Sequence, residues 1–151
     1  MPDPPADEEI DGGRERHRDE RGEFTELFRR QWGLIGETVQ WAYSHSRGGV
    51  VRGVHVHPVH DDYLILISGR MFAGLSDLRT EDPARRNGVC LELTAQQPAA
   101  LVIPHGVAHG FYFPEPPTFV LGVTHTFDPA DELGCRWDDP DLGIPWPATG
   151  D

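Results

Sequence analysis

Short apolar runs alternate with turn residues from residue 38 to residue 126. The runs are rich in Val, Ile, Leu and aromatic side chains, and Gly, Pro, Asn and Asp separate them at intervals of roughly ten residues. No amphipathic segment of helical length interrupts the series, so the pattern predicts an all-β antiparallel sandwich or barrel. The predicted strands are residues 38–43, 50–57, 63–67, 71–77, 89–93, 100–103, 110–113 and 118–126.

The two ends of the chain depart from this pattern. Residues 1–18 are mostly Pro, Gly and charged residues, which predicts a disordered N-terminal arm ahead of a single domain over residues 19–151. Residues 23–32 place Phe24, Leu27 and Phe28 at helical spacing, although a strand running into a short helix fits as well. Residues 128–147 hold too many prolines for a strand, but their apolar side chains predict a segment that wraps over the domain.

Charge and cysteine content exclude several classes of protein. The 151 residues include 25 acidic and 13 basic side chains, and the net charge of -12 disfavours binding to nucleic acid. A phosphorylated small molecule is compatible with this charge if a few arginines are focused on one pocket. The two cysteines form no metal or redox motif, and we find no signal for secretion or membrane insertion. We therefore expect a cytoplasmic protein with no organic cofactor.

The stretch from residue 52 to residue 69 carries the densest candidate chemistry. His55 and His57 are two residues apart, so they point to the same face if this segment is a strand. Metal-binding cupins have a His-x-His pair, a carboxylate and a glycine at this spacing. Here the pair is followed by Asp62, in place of the usual Glu, and by Gly69.

A second element, Pro104-x-Gly106-x-x-His109, follows about forty residues later and matches the second cupin motif. Together the two elements supply three imidazoles and one carboxylate, a set suited to a divalent transition metal such as Mn, Fe, Ni, Cu or Zn. The candidate metal ligands are His55, His57, Asp62 and His109.

Each of these histidines also has an ordinary interpretation. A lone His57 on a strand is more often a polar residue near the surface than a ligand. His60 and Asp61 fit a solvated turn, and the position of His105 before a glycine fits a role in that turn. The paired motifs in a β-rich chain give the metal site and these interpretations about equal weight.

Five further motifs extend the pattern along the chain: residues 19–26 (DERGEFTE), 49–55 (GVVRGVH), 77–79 (DLR), 103–111 (IPHGVAHGF) and 137–147 (WDDPDLGIPWP). They are similar to the D-x-R-G-x-F-x-E, G-V-L-R-G-L-H, V-D-L-R, I-P-E-G-F-A-H-G-F and W-D-D-P-x-L-G-I-x-W-P motifs of the dTDP-4-dehydrorhamnose 3,5-epimerases. The sequence thus resembles these RmlC-like cupins of deoxysugar biosynthesis over nearly all of its expected ordered length. The resemblance implies a double-stranded β-helix, or jelly-roll barrel.

The resemblance also implies a homodimer that acts as an isomerase on a nucleotide-linked 4-keto-6-deoxysugar, with His55 as the base. Arginine suits such a substrate because its guanidinium group binds phosphate in bidentate fashion. For Arg21 and Arg52, the alternative to phosphate binding is a surface ion pair. By resemblance, the residues that reach the neighbouring subunit's nucleotide site are Arg21, Phe24 and Glu26, and those that hold the nucleotide sugar are Gln40, Arg52 and Glu132.

Several acid-base positions depart from the family pattern. Leu121 stands where the family has its proton-donating tyrosine, and Asp62 stands where it has a lysine. His57 stands where the family has a glutamine. The two residues that depart from the epimerase pattern here, His57 and Asp62, are therefore the same two that complete the set of metal-cupin ligands. Ala42 and Ala73 replace polar residues. The acid that orients the family's catalytic histidine is expected beyond residue 147 and has no match in this sequence, which predicts a poorer base.

Three hypotheses follow. The first is an isomerase on a dTDP-linked keto sugar, assisted by a metal, with His55, Asp62 and His109 in the chemistry. The second is a metal-dependent cupin oxygenase that acts on a non-sugar intermediate. The third is a nucleotide-sugar-binding module without catalysis.

Overall fold

Eleven β-strands and three short 3-10 turns make up the regular structure in a computed structural model, which describes residues 16–82 and 87–147. The 3-10 turns are Arg30–Trp32, Pro129–Asp131 and Pro140–Leu142. The strands are β1 (Arg16–Asp19), β2 (Gly22–Thr25), β3 (Gln40–His45), β4 (Val50–Val56), β5 (Asp62–Ser68), β6 (Arg70–Asp77), β7 (Val89–Thr94), β8 (Ala100–Ile103), β9 (Val107–Phe113), β10 (Thr118–Val123) and β11 (Leu133–Gly134).

The strands form two main antiparallel sheets and a separate hairpin. One sheet has four strands in the order β3-β10-β5-β8, and the other has five in the order β11-β4-β9-β6-β7. Strands β1 and β2 form the hairpin. This arrangement confirms the all-β cupin fold that the sequence predicts.

The main core lies between the two sheets. It contains Leu64 and Leu66 from β5, Met71 from β6, Phe113 from β9 and Phe119 from β10. Strand β5 is buried from its first residue to its fifth because it is paired on both edges and covered on both faces. A strand in this position shows a continuous apolar run instead of alternation, which is the pattern that the sequence has here.

The C-terminal segment packs on the five-stranded sheet. Leu142, Ile144 and Trp146 contact a cluster that includes Val54 of β4 and Ala108 of β9. The segment is anchored by β11, which pairs with β4, and by the hydrogen bond that Trp146 Nε1 donates to the Trp137 carbonyl oxygen at 2.8 Å. The prediction of a wrapping segment is confirmed. The segment also contains the two-residue strand β11, which its proline content did not indicate.

Strands β4 and β9 bring the two histidine motifs together. They are antiparallel neighbours, and His55 is the cross-strand partner of His109. The strands approach closely at Gly53, whose φ is +114°, a backbone conformation that favours glycine. A Cβ atom added there would lie 2.7 Å from the Gly110 Cα atom, so this pairing requires glycine at position 53.

The predicted strands agree with the observed ones in all eight cases, with ends that differ by up to three residues. Residues 23–32 follow the second of their two predicted alternatives, a strand and then a 3-10 turn. Of the predicted disordered arm over residues 1–18, residues 1–15 lie outside the described residues. The prediction is wrong for residues 16–18, because Arg16–Asp19 form β1 and pair with β2. Nowhere in the described ranges is there a helix with the length and apolar character needed to span a membrane.

Candidate functional site

A cavity of about 460 Å³ opens between the two sheets. Aromatic and aliphatic side chains form one wall, and the polar side chains cluster on the wall built by β4, β9 and the start of β5. The residues that line it are Ala42, Tyr43, Ser44, Arg52, Gly53, His55, His57, Asp62, His109, Phe111, Phe119, Leu121, Phe127 and Glu132.

His55 lies on the exposed side of this cavity, next to an acid. Its side chain is 52% exposed, and its Nδ1 atom is 3.4 Å from Glu132 Oε2. Glu132 precedes β11, whose Gly134 is the cross-strand partner of His55. The short ladder between β11 and β4 therefore fixes the carboxylate beside the imidazole.

Four buried polar side chains meet deeper in the cavity. The exposed fractions of these side chains are 8% for His57, 5% for His60, 4% for Asp62 and 7% for His109. The Nε2 atoms of the three histidines all face the one carboxylate. Asp62 Oδ2 is 3.6 Å from His57 Nε2 and 3.3 Å from His109 Nε2, and Asp62 Oδ1 is 3.3 Å from His60 Nε2. We call these four residues the histidine cluster.

Hydrogen bonds orient two imidazoles of the histidine cluster. His109 Nδ1 is 3.1 Å from the carbonyl oxygen of Val107, which can only accept. His60 Nδ1 is 3.1 Å from Asp131 Oδ2. Each Nδ1 atom therefore carries a hydrogen and donates it. In the neutral imidazole, Nε2 then carries no hydrogen, and its lone pair is directed at Asp62.

Burial shifts the pKa values of His57, Asp62 and His109 toward the neutral forms of these side chains. It raises the pKa of Asp62 to about 7. It lowers the pKa of His109 to about 4. It also lowers the pKa of His57, and the charge of the neighbouring His60 lowers that pKa further. The cost of an unsolvated charge accounts for each shift. For His57 and His109, burial thus favours the neutral imidazole, the form in which histidine binds a metal.

The metal set predicted from the sequence is only partly assembled. His57, His60 and Asp62 offer ligand atoms that all lie within 4.8 Å of one another, and His109 contacts the same carboxylate. His55 lies apart, with its ring centroid 6.4 Å from that of His57. His55 is thus placed with Glu132, and His60 takes its place beside the other predicted ligands.

The interpretation of His60 as part of a solvated turn is wrong, because its side chain is buried against His57 with ring centroids 4.0 Å apart. No sequence motif indicates Asp131, the residue whose carboxylate orients His60. Spacing could not reveal this pair, because 71 residues separate them. Asp61 points away and accepts hydrogen bonds from the backbone N–H of His105 and from its ring, consistent with the predicted turn.

Two departures from the family pattern lie opposite each other. Leu121 of β10 is the cross-strand partner of Ala42 of β3. Both line the main cavity and a second cavity of about 200 Å³, which also borders His57, His60 and Asp62. The wall facing the histidine cluster is therefore apolar and carries no proton donor at either position. The third departure, Ala73, is fully buried in β6.

Arg52 is held at the cavity by two hydroxyl groups. Its NH1 atom donates to Ser44 Oγ at 3.0 Å and to Ser46 Oγ at 3.1 Å. Within residues 16–82 and 87–147 no carboxylate pairs with it. Its guanidinium group thus lines the cavity with its positive charge available to an anion, and anion binding stays a prediction.

Glu132 also lines the cavity, whereas four of the predicted substrate-binding residues do not: Arg21, Phe24, Glu26 and Gln40. Arg21 pairs with Asp19 through a bond of 2.5 Å from NH2 to Oδ2, Phe24 is exposed on the β1–β2 hairpin, and Glu26 pairs with Arg29. Gln40 lines the second cavity, and its Oε1 atom accepts a 2.7 Å hydrogen bond from the Phe127 backbone N–H.

Comparison with known proteins agrees with this geometry. The model of the dTDP-4-dehydrorhamnose 3,5-epimerase family matches residues 11–151. The spore coat polysaccharide biosynthesis protein SpsL of Bacillus subtilis is 32% identical over 135 residues, which cover 87% of this chain and 89% of SpsL. The dTDP-4-dehydrorhamnose 3,5-epimerase of Salmonella typhimurium is 33% identical over 138 residues, covering 85% of this chain and 75% of that enzyme.

A solved structure extends the likeness to three dimensions. The epimerase RmlC of Legionella pneumophila, crystallised in complex with dTDP-4-keto-L-rhamnose, superposes with a TM-score of 0.81. The two sequences are 29% identical, and the superposition covers 91% of this chain and 77% of the Legionella chain. With the family motifs in place along the jelly roll and the family model matched over residues 11–151, this chain belongs to the dTDP-4-dehydrorhamnose 3,5-epimerase family.

Proposed function

We propose that this protein is an isomerase-class enzyme that removes the proton next to the keto group of a dTDP-linked 4-keto-6-deoxysugar. The observation that carries the proposal is the pairing of His55 Nδ1 with Glu132 Oε2 at 3.4 Å on the cavity wall. Members of this family ordinarily act without a cofactor, and the base proposed here consists only of side chains.

The pairing supports a general base at Nε2 of His55. An acid at Nδ1 holds the hydrogen on that nitrogen, which leaves the Nε2 lone pair free to accept a proton from carbon. The carbon–hydrogen electron pair moves toward the keto group and forms an enolate, and the imidazolium that results is stabilised by Glu132. In this chain Glu132 takes the orienting role that the family assigns to an acid further along the sequence.

Arg52 supports the choice of a nucleotide-linked substrate. Its guanidinium group is fixed by Ser44 and Ser46 with the charge open to the cavity. A diphosphate matches this group in both charge and geometry. The complex of the Legionella epimerase with dTDP-4-keto-L-rhamnose supports the same substrate class.

Leu121 determines what happens after the enolate forms. Leucine cannot return a proton to the opposite face of the sugar, so reprotonation there depends on water. The proposal therefore predicts exchange of the abstracted hydrogen with solvent that is faster than inversion at that carbon.

The test is incubation with dTDP-4-keto-6-deoxyglucose in deuterated water, followed by NMR of the hydrogens at C3 and C5. We expect deuterium at one or both carbons, and a loss of more than about 100-fold in the rate for His55→Ala. His45→Ala is a matched control, because His45 contacts Thr118 and does not line the cavity.

The same sample distinguishes the two remaining hypotheses. Substrate-dependent oxygen consumption without exchange favours a metal-dependent oxygenase. Tight dTDP binding with neither exchange nor oxygen consumption favours a binding module.

We also propose a homodimer in which the β1–β2 hairpin carries Arg21, Phe24 and Glu26 to the cavity of the neighbouring subunit. The support is the exposed edge of the four-stranded sheet, where β3 presents Trp41 and Tyr43, the latter 78% exposed. Large apolar side chains on an open edge strand invite pairing with another chain. Light scattering should give twice the chain mass of 16.9 kDa, whereas a monomer would contradict the proposal.

The two cysteines support a reducing compartment for this enzyme. Cys90 and Cys135 are free thiols in the structure. Free thiols persist in the cytoplasm, where we place the protein.

A further inference from the structure

We propose that His57, His60, Asp62 and His109 form a binding site for one divalent transition metal ion at the base of the main cavity. The family's chemistry does not call for such an ion, and the site differs from the set expected from the sequence because His60 stands in for His55. The inference rests on the geometry of the histidine cluster and on groups that lack a partner.

The distances suit an ion. Zn²⁺ binds imidazole nitrogen and carboxylate oxygen at about 2.0–2.2 Å, so the donors at two corners of a tetrahedral site lie roughly 3.3–3.6 Å apart. The three contacts between Asp62 oxygens and histidine Nε2 atoms are 3.3, 3.3 and 3.6 Å. They are slightly too long for strong hydrogen bonds and fall within this range, with two contacts ending on Oδ2 of Asp62 and one on Oδ1. The ligand atoms of His57, His60 and Asp62 all lie within 4.8 Å of one another.

The Nδ1 hydrogens of His60 and His109 point away from Asp62. His60 and His109 each give the Nδ1 hydrogen to an oxygen outside the cluster, so their Nε2 lone pairs face the lone pairs of Asp62. Asp62 Oδ1 and His57 Nδ1 are buried, and among the described residues neither atom has a partner with hydrogen-bond geometry. A proton on Asp62 could satisfy only one of the three imidazoles, whereas a cation satisfies all four groups together.

The surrounding groups follow the pattern of a metal centre. Asp131 orients His60 at 3.1 Å, and Glu132 Oε1 lies 3.6 Å from His57 Nδ1. Carboxylates behind ligating histidines fix their tautomer and increase their basicity. These two acids and Asp62 also gather negative charge in one place.

Among the described residues, these three acids form ion pairs only with histidines and none with an arginine. Where the family has a lysine, this chain has Asp62, and all 13 basic residues of the sequence are arginines. The second cavity, which borders His57, His60, Asp62 and Glu132, has no arginine in its lining. A bound metal ion restores a positive charge where the lysine was lost.

The metal site and the proposed base are separate. His55 is not a ligand in this arrangement and stays free to accept a proton, which removes the competition between the two roles. The ion deepens the proposed function, on which this part rests, because a Lewis acid beside the keto group would stabilise the enolate. Glu132 links the two, since it contacts both His55 and His57.

The test measures metal binding directly, with the full chain purified without a histidine tag and freed of metal by chelation. Zn²⁺ is titrated by calorimetry, and Co²⁺ by its visible absorption, which is intense only at low coordination number. We expect one equivalent per chain with a dissociation constant of about 1 µM or tighter. Asp62→Asn and His60→Ala should each weaken binding by more than about 100-fold.

Matched variants distinguish the histidine cluster from metal binding elsewhere on the chain. Asp61→Asn and His105→Ala change a neighbouring aspartate and histidine that pair with each other at 2.8 Å outside the cluster, and should leave binding unchanged. His55→Ala should abolish hydrogen exchange but keep metal affinity. The two measurements can therefore contradict the metal site without contradicting the proposed base, or the reverse. If Asp62→Asn does not fold, His57→Gln serves in its place.

Two outcomes would overturn the proposal. One is the absence of stoichiometric Zn²⁺ and Co²⁺ binding by the unmodified chain, which would leave Asp62 as a buried protonated acid. The other is a loss of affinity in His55→Ala as large as that in His60→Ala, which would return the ligand set to the one expected from the sequence.

Discussion

His55 and His57 are two residues apart at the end of β4, but the side chain of His55 is 52% exposed and that of His57 only 8%. Their ring centroids are 6.4 Å apart, and Glu132 lies between them. The short spacing therefore separates a solvent-facing imidazole beside an acid from the buried histidine cluster.

Replacing Glu132 with Gln should impair the base without removing its side chain. The amide can present its NH2 group to Nδ1, which favours the tautomer with the hydrogen on Nε2 and blocks proton abstraction. We expect deuterium exchange at C3 or C5 to slow by roughly 100-fold or more. Glu115→Gln, at an exposed turn, is the control. An exchange rate equal to that of the unmodified enzyme would remove Glu132 from the base.

Replacing Leu121 with Tyr should restore a proton donor on the apolar wall. Because Leu121 faces both cavities, a phenol there can reach the side of the sugar opposite His55. We expect the ratio of inverted product to exchanged substrate to rise by about 10-fold or more. Leu121→Phe, which has the same ring without the hydroxyl group, should not change the ratio, and a rise with Phe would count against proton transfer by residue 121.

The sequence predicted the fold well because its signals are local. Each strand from residue 38 onward is an apolar run closed by turn residues, and this pattern survives in β8, whose bounds match the prediction at both ends. Strand β1 was missed because Arg16–Asp19 are polar and are held by pairing with β2 instead of by burial.

The site was predicted less completely because its geometry depends on distant pairings. Motif spacing predicted the convergence of His57, Asp62 and His109, although His57 follows β4 and His109 lies on β9 of one sheet while Asp62 begins β5 of the other. Motif spacing did not predict the burial of His60, because it depends on Asp131 from a segment 71 residues away. No pattern near His60 distinguishes a ligand from a residue in a solvated turn.

Adding Zn²⁺ to the metal-free protein should raise its thermal stability, because an ion that binds only the folded state shifts the unfolding equilibrium. At a free concentration 100 times the dissociation constant the gain is about 2.7 kcal/mol. For a domain of this size the melting temperature should rise by roughly 5–10 °C in scanning calorimetry. Asp62→Asn should lose this shift and Asp61→Asn should retain it. Equal shifts in both variants would locate the ion elsewhere.

Gly53→Ala should destabilise the fold where β4 meets β9. The added Cβ would lie 2.7 Å from Gly110 Cα and 2.9 Å from the His109 carbonyl oxygen, and φ of +114° is unfavourable for alanine. We expect a loss of about 2 kcal/mol or more in the free energy of unfolding, measured in urea with an unchanged slope. Gly36→Ala should change it by less than about 1 kcal/mol, because its Cβ would make an ordinary 3.8 Å contact with Thr124. A Gly53→Ala protein as stable as Gly36→Ala would mean that the strands separate at little cost.

Strand β11 is only two residues long, but its pairing with β4 determines how this part of the chain can vary in length. Gly134 is in register with His55, so the number of residues from Glu132 to Gly134 sets the position of the acid relative to the imidazole. A single insertion or deletion there would move the carboxylate out of reach while the core between the two sheets stayed intact. Relatives that keep this base should therefore show no length variation between these positions, and those that differ there should have found another acid or another activity.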